Sequence, residues 1–564
     1  MKISQDEITN LHPVPDARGI NLFESDASRS LLGCYLSPEL HAHLLPHLTR
    51  LGALAGSHLD DLAGVADKNP PTLSVRSRAG LDEHRVVKHP AYVELEKWAY
   101  SEFGLAAMSH RAGVLGWPEP MPPAAKYALT YLFVQAEFGL CCPVSMTDSL
   151  ARTLRKFGKP ELVEQVLPLV TSQDFDQLHQ GAMFMTEQGA GSDVSATATH
   201  AQLQPDGHWL LTGDKWFCSN PDAGFAMVLA RSEDVPGIKG ISLFLLPKRR
   251  PDGAPNAYRI LRLKDKLGTR SMASGEIRME GAFAWLIGER GKGFNHMADM
   301  INNSRLSNGV RAAGLMRRAL TEALYVSKNR RAFNQRLIDM PLMQRQLSKM
   351  ALWTEQARTM VFQTAAALQA FDQDDSHRPL ARILTPLIKF RACRDARKVS
   401  GDAMEVRGGC GYIEEWADPR ILRDAHLGSI WEGTSNIVAL DVLRAIEREQ
   451  SLPALRAKVQ ALLDDGMPAS ASLIERQTER INAAFAAAER ASGSKDAELA
   501  RQVASALYHV LTMAAMRWEA KQVQMPMRNR LADLVLTQRL SPRDPVLDAE
   551  RADPELMSWL AKDI

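Results

Sequence analysis

Residues 185–193, MTEQGAGSD, mark the change of texture on which the fold turns. Upstream, residues 1–180 read as mostly helical. Apolar side chains recur at helical intervals over 127–140 and 149–156, between proline-rich connections such as DKNPP (67–71) and PEPMPP (118–123). From about residue 181 the segments become short and β-prone, at 208–212, 226–231, 241–246 and 276–279. Turn formers separate them, at PDG (205–207), PG (236–237) and PDG (251–253). An all-β insert of roughly 100 residues is predicted. After Gly293 the helical period returns. Val310, Ala313, Met316, Leu320 and Leu324 step by three and four, as do Ala357, Val361, Ala365 and Leu368, which predicts long antiparallel helices packed as a bundle. A glycine knot, RGGCGY (407–412), interrupts them before a helix that begins near Asn436. Beyond 448 lies further Ala-, Arg- and Leu-rich helical sequence, including 482–492 and 499–518.

Composition bounds the function. The 564 residues are 45% hydrophobic and 24% charged, an ordinary globular balance that excludes disorder for the bulk. Sixty-eight basic against 66 acidic side chains give a net charge of +2, too neutral for a dedicated nucleic-acid binder. The opening MKISQDEITN has no signal-peptide character, and no stretch approaches the ~18 uninterrupted apolar residues of a membrane span. Cys34, Cys141, Cys142, Cys218, Cys393 and Cys410 form no CxxC pair. A reduced, cytoplasmic setting is expected, with no metal site and no membrane partner.

Three stretches can carry chemistry. MTEQGAGSD offers backbone N–H groups and hydroxyls at close approach, suited to a flavin or phosphate, or forms only a tight turn. It is neither a Rossmann fingerprint nor a P-loop. DKWFCSN (214–220) lies on an expected strand, where its aromatics pack along a flat ring or simply in a core. SIWEGTSN (429–436) places Glu432 between Trp431 and Gly433 at the mouth of the next helix. There it is a general base beside an apolar flank, or a solvated loop glutamate.

The order and spacing of these stretches resemble the acyl-CoA dehydrogenase flavoprotein family. The pattern continues through KLGTRSMASGE (266–276), GERGKGF (288–294), Arg330 with Phe333, Gly408-Gly409-x-Gly411-Tyr412, Arg423-Asp424 and Glu432-Gly433-Thr434, over about residues 130–445. Within the family, NLFESD (21–26), NPP (69–71), VKHPAY (87–92) and CPVSMT (142–147) look like the AidB-like branch. So do LKDKLGTR (263–270), PLM (341–343), IWEG (430–433), LDVLR (440–444) and the helical C-terminal extension.

The resemblance implies an α+β, predominantly α fold. Its parts are a helical domain at 1–180, a β-barrel or sandwich at 181–290, a four-helix bundle at 291–448 and an extra helical domain at 449–564. It implies FAD. Met185, Thr186, Gly191 and Ser192 match positions at the flavin and pyrophosphate, and Phe217, Cys218 and Ser219 match the strand along the ring. Arg330 and Phe333 match residues that reach a neighbouring subunit's cofactor, so a homodimer or homotetramer is implied. Gly408, Gly409, Trp431, Thr434 and Asn436 match the remaining cofactor contacts. Glu432 matches the base that dehydrogenates an acyl-CoA, with Ser192, Arg305 and Gly433 beside the substrate and an electron-transfer flavoprotein or similar acceptor as oxidant. Some members carry the base immediately before the arginine matching Arg305, where this chain has Ser304. Glu405, Met272 and Ala273 depart from common patterns, and Pro341 does so in a way that AidB-like members share.

The second reading is a flavin-containing, DNA-associated protein of the alkylation response with vestigial redox chemistry. Arg444 matches a basic position on the DNA face attributed to the AidB-like branch, and Arg539 is the other candidate. Between 517 and 543 six basic residues (Arg517, Lys521, Arg528, Arg530, Arg539, Arg543) meet two acidic ones (Glu519, Asp533), while acids such as Asp464, Asp465, Asp548 and Glu550 lie outside that stretch. A solvated helix face is the plainer reading of such a run, and the enzyme is favoured over DNA binding.

Overall fold

The computed structural model describes residues 13–544, 546–548 and 551–563; MKISQDEITN and Glu550 lie outside them. Helix α1 (Pro38–Ala55) starts where the Ser37 hydroxyl accepts a hydrogen bond from the Leu40 N–H at 3.2 Å and Pro38 presets the first turn. Leu40, Leu44, Leu48 and Leu51 recur every three or four residues and are buried, which turns one face inward. Helices α2 (His58–Lys68), α3 (Pro90–Glu96), α4 (Pro123–Phe133), α5 (Cys141–Phe157) and α6 (Pro160–Val170) complete this layer. Every side chain of α5 from Cys141 to Ala151 is buried, so it is a core helix, not a surface one.

Between α2 and α3, in a stretch read as mostly helical, lies an unexpected hairpin: β1 (Thr72–Arg76) paired antiparallel with β2 (Asp82–Val87). Its strands are polar and largely exposed. The His84 ring meets the Ile260 carbonyl at 3.0 Å, and Val86 joins the core of the middle sheet.

That sheet has seven strands: β3 (Gly181–Phe184), β4 (His200–Leu203), β5 (Trp209–Ser219), β6 (Phe225–Arg231), β7 (Ile241–Pro247), β8 (Tyr258–Leu263) and β9 (Ser274–Ile287). Antiparallel pairing runs β4–β5–β9–β7–β6, and one parallel bridge, His200 to Arg231, joins β6 back to β4. The ring so closed is a small barrel, with β3 laid on β6 and β8 on β9. The unbroken apolar runs FAMVLA and ISLFLLP of β6 and β7 are buried throughout, as strands covered on both faces must be.

The helical period resumes in α7 (Gly293–Asn329), whose 37 residues span about 55 Å at about 1.5 Å per residue. A two-residue ribbon, β10 (Arg331–Ala332) with β11 (Gln335–Arg336), turns the chain into α8 (Pro341–Gln373) and α9 (Arg378–Arg407). Helices α10 (Ala417–Gly428) and α11 (Ser435–Glu449) follow. The extension adds α12 (Ser451–Asp464), α13 (Ile474–Gly493), α14 (Ala500–Gln522), α15 (Pro526–Val535) and α16 (Pro554–Leu560).

The extension is knitted into the bundle through buried charge. Arg528, fully buried, pairs with Glu519 of α14 and Glu355 of α8 at 2.5 Å. Glu519 also accepts from the Tyr35 hydroxyl at 2.6 Å and the Thr359 hydroxyl at 3.0 Å. This changes the meaning of the basic run at 517–543. Arg517 is fully buried and pairs with Asp533 at 2.8 Å, Lys521 with Asp465 at 2.9 Å, and Arg530 with Asp553 at 2.5 Å. The Arg539 guanidinium lies 4.6 Å from the Trp353 ring centre. Most of these residues are thus engaged in ion pairs or stacking, where a solvated helix face was the plainer expectation.

Candidate active site

The loop between α10 and α11 reverses direction over two residues with left-handed backbone, Glu432 (φ 54°) and Gly433 (φ 96°). A glutamate there costs about 1 kcal/mol or more, so the surroundings must hold it. They do so from three helices. Arg305 Nε of α7 donates to the Glu432 carbonyl at 3.1 Å, and Lys389 Nζ of α9 donates to the Gly433 carbonyl at 2.8 Å. Asp441 of α11 ties Arg305 and Arg382 together, each at 2.7 Å.

The Glu432 carboxylate is held just as firmly. Ser304 donates its hydroxyl to one carboxylate oxygen, and Asn308 Nδ2 donates to the other at 3.3 Å. Ser304 and Asn308 stand four apart on α7 and so share a face. Burial pushes the Lys389 ammonium down to about 8 and the Cys393 thiol up to about 11. Arg305, Lys389 and the neutral Cys393 thiol are thus the groups gathered about the Glu432 loop, with Asp441 behind Arg305.

A second group of residues belongs to the barrel. Lys215, fully buried on β5, donates to Glu187 at 2.6 Å, to the Leu229 carbonyl at 2.8 Å and to the Met185 carbonyl at 3.3 Å. Glu187 also accepts from the N–H groups of Ala198 (2.7 Å) and Thr199 (3.1 Å), which makes one connected buried network. The Trp216 N–H donates to the Thr186 carbonyl at 2.8 Å, anchoring the first turn of the MTEQGAGSD loop to β5, so the loop is fixed at its base. Its tip is open. Gly191 and Ser192 are exposed, and a Cβ built on Gly189 or Gly191 would meet nothing within 4 Å. Alternation along β5 buries Cys218, leaves Ser219 half-buried and turns Phe217 outward, 59% exposed, with the Lys264 ammonium 4.9 Å from its ring.

These features suit a flat, polar heteroaromatic group such as a flavin: an open glycine loop, an outward phenyl ring and unsatisfied polar atoms. Trp431 stacks on Phe138 with ring centres 6.2 Å apart, and its buried Nε1 has no partner among the described residues, nor has the Thr269 hydroxyl. Asp424, whose carboxylate accepts the Thr269 N–H at 2.6 Å, is pushed up to about 7 by burial and by the nearby Glu137. Among the described residues no group of three or more His, Cys, Asp or Glu is placed to hold a metal, and no helix is long and apolar enough to cross a membrane.

The expected cofactor and substrate residues fall into three groups. Met185, Thr186, Gly191, Ser192, Phe217, Cys218 and Ser219 share the barrel edge, and Arg305, Trp431, Glu432, Gly433, Thr434 and Asn436 share the α10–α11 loop with its support. Arg330, Phe333, Gly408 and Gly409 assemble elsewhere. Arg330 Nη1 donates to the Arg407 carbonyl at 2.9 Å, beside Gly408, and Phe333 is 91% exposed. Arg330 is 25 residues along α7 from Arg305, about 37 Å at about 1.5 Å per residue. Arg444 is exposed on α11, a setting unlike that of Arg539 on Trp353. Sequence reasoning missed Asn308, Lys389, Asp441 and the role of Glu187 with Lys215. The one signal was a charged or amide residue inside an otherwise apolar helix or strand.

Family models match three consecutive stretches: the adaptive response protein AidB N-terminal domain over 13–177, the acyl-CoA dehydrogenase middle domain over 182–282 and the acyl-CoA dehydrogenase C-terminal domain over 291–447. The putative acyl-CoA dehydrogenase AidB of Escherichia coli (strain K12) is 35% identical over 402 residues, 69% of this chain and 71% of that protein. Acyl-CoA dehydrogenase family member 11 of Caenorhabditis elegans is 32% identical over 429 residues, 74% of this chain and 69% of that protein. The crystal structure of Caenorhabditis elegans ACDH-11 in complex with C11-CoA superposes with a TM-score of 0.84 at 26% identity, covering 96% of each chain.

Proposed function

Because the chain belongs to the acyl-CoA dehydrogenase family, in its AidB-like branch, and its cofactor is accordingly FAD, we propose that it dehydrogenates an acyl-CoA thioester between the α and β carbons. The observation that carries this reading is Glu432, a carboxylate fixed by Ser304 and Asn308 at the mouth of α11, beside Trp431. Its free lone pairs take the α-proton of the acyl chain. FAD, when bound, accepts the hydride that leaves the β-carbon. Met185, Thr186, Gly191, Ser192, Phe217, Cys218, Ser219, Trp431, Thr434 and Asn436 hold it on the barrel and loop side. The Glu432 N–H, oriented by the Arg305 grip on its own carbonyl, stabilises the thioester oxygen as charge builds there. Ser192, Arg305 and Gly433 border the substrate.

The Arg330, Phe333, Gly408 and Gly409 group completes the cofactor site of a neighbouring subunit. Its separation along α7 from Arg305, which grips the Glu432 loop, supports that reading, and with it a homodimer or homotetramer. An electron-transfer flavoprotein or similar acceptor reoxidises the enzyme. That a relative was crystallised with C11-CoA supports an acyl-CoA ligand.

The test is anaerobic titration of the holoenzyme with a panel of acyl-CoAs, followed by bleaching of the flavin absorbance. At least one chain bleaches it, and Glu432→Gln keeps its FAD while slowing bleaching by about 10³-fold, within the range for loss of a general base. If no acyl-CoA bleaches the flavin, dehydrogenation is wrong.

A further inference from the structure

Five arginines rank among the largest fully buried side chains: Arg311, Arg317, Arg407, Arg517 and Arg528. Four of them pair with carboxylates, Arg317 with Asp563, Arg407 with Asp418, Arg517 with Asp533 and Arg528 with Glu519. Arg311 pairs with none among the described residues. Its Nε donates to the Ser307 carbonyl at 3.3 Å, while among the described residues Nη1 and Nη2 find no oxygen or nitrogen acceptor and the guanidinium has only the Cys142 thiol beside it as a weak partner. A buried guanidinium left in this state is strongly unfavourable, and such charges are kept only where a counter-charge arrives.

The position of Arg311 says where that counter-charge comes from. Ser304, Asn308 and Arg311 follow one another at four and three residues, on the stripe of α7 that serves the base. The guanidinium carbon lies 4.7 Å from the Trp431 ring centre and 5.4 Å from that of Phe138. Its titratable neighbours are Cys141, Cys142 and Cys393, thiols pushed up by burial, and the ammonium of Lys389. Trp431 Nε1 is a further buried donor without a partner. Among the described residues the surroundings therefore offer three buried N–H bearing nitrogens without an oxygen or nitrogen acceptor, set against aromatic walls.

We propose that Arg311 is a specificity residue that receives a carboxylate carried by the acyl chain, so that the preferred substrate is a short ω-carboxyacyl-CoA and not a plain fatty acyl-CoA. This rests on the dehydrogenase reading above. A carboxylate matches the paired N–H groups of a guanidinium, and burial between two rings strengthens the bond by excluding water. The chain must be short because Arg311 is only three residues beyond Asn308, a rise of about 4.5 Å along the helix.

The experiment compares the holoenzyme with Arg311→Met and Arg311→Lys. Calorimetry measures binding of unreactive thioether analogues in matched pairs: succinyl against butyryl, glutaryl against valeryl, adipyl against hexanoyl. At least one carboxylate binds about 100-fold tighter than its methyl-ended partner. Arg311→Met loses that preference with FAD content unchanged, and Arg311→Lys keeps part of it. Should Arg311→Met not fold, the wild-type pairs and the lysine variant carry the test. Wild-type preference for every methyl-ended partner overturns the proposal. So does an Arg311→Met variant that sheds FAD or shifts the flavin potential while the ligand preference stays, which would give Arg311 to the cofactor. The failure of dehydrogenation itself reads differently: no acyl-CoA bleaches the flavin, yet the carboxylate preference and its dependence on Arg311 remain.

Discussion

Glu432 combines a left-handed backbone with a carboxylate that accepts from Ser304 and, at 3.3 Å, from Asn308. A base held this way is set in place before substrate arrives, and each donor restricts its rotamer at the cost of some basicity. Asn308→Ala removes one donor without touching the cofactor residues. Turnover is expected to fall about tenfold, as the loss of about 1–1.5 kcal/mol of hydrogen bonding implies, while the flavin spectrum and FAD content stay as in wild type. Steady-state kinetics with absorbance at the flavin band checks both; an unchanged kcat would show that the carboxylate needs no fixing. At this scale the proposed base could be named from the chain, because Trp431-Glu432-Gly433 keeps its local pattern there. Its supports were not. Asn308, Arg311 and Lys389 sit in helices whose apolar periodicity explains the neighbouring residues and is silent about a polar side chain turned inward.

Helix α10 bears on the barrel through a loop that leaves little room. A Cβ added at Gly268 would come within 2.7 Å of the Arg423 backbone, and the Thr269 N–H donates to Asp424 at 2.6 Å. Burial, reinforced by Glu137, raises the Asp424 carboxyl from 3.8 to about 7. A carboxyl whose folded value lies above its unfolded one binds more protons when folded between those values. Its ionisation therefore weakens the fold as pH rises from about 4 to about 7. Asp424→Asn keeps an acceptor for Thr269 and removes the ionisation. The variant is expected to unfold at a higher temperature than wild type at pH 8, by an amount equivalent to about 1–3 kcal/mol, and to show no advantage at pH 4. Circular dichroism melts at the two pH values decide it, and equal midpoints at pH 8 would refute it. Elements were legible where burial imposed a pattern, as in the apolar runs of β6 and β7 or the leucine steps of α1. The β1–β2 hairpin was not, because the only alternation is the brief Leu73–Val75 step in β1, β2 shows none, and most of their side chains remain in water.

Across the whole molecule the question is what the 68 cationic side chains are for. Phosphate-backbone binding gains affinity by releasing counterions, roughly one for each free cation that meets a phosphate. In the 517–543 run that reserve is small. Arg517 and Arg528 are fully buried in ion pairs, Lys521 and Arg530 have their own carboxylates, and Arg539 lies against Trp353. Linear sequence could not show this, since the partners Asp465, Asp553 and Glu355 lie outside the 517–543 run and come to it only through folding. The same pairs instead fasten α14 and α15 to α8, which makes the extension part of the bundle's core. Duplex DNA is therefore expected to bind only in the generic range, at a Kd of about 10⁻⁴ M or weaker near 0.15 M salt, and Arg444→Gln with Arg539→Gln should leave it unchanged. Fluorescence anisotropy over a salt series measures this. A submicromolar Kd with a steep salt slope, lost in the Arg444→Gln variant, would restore the DNA-associated reading. It would also require that the exposed face of α11, and not the extension, supply the contacts.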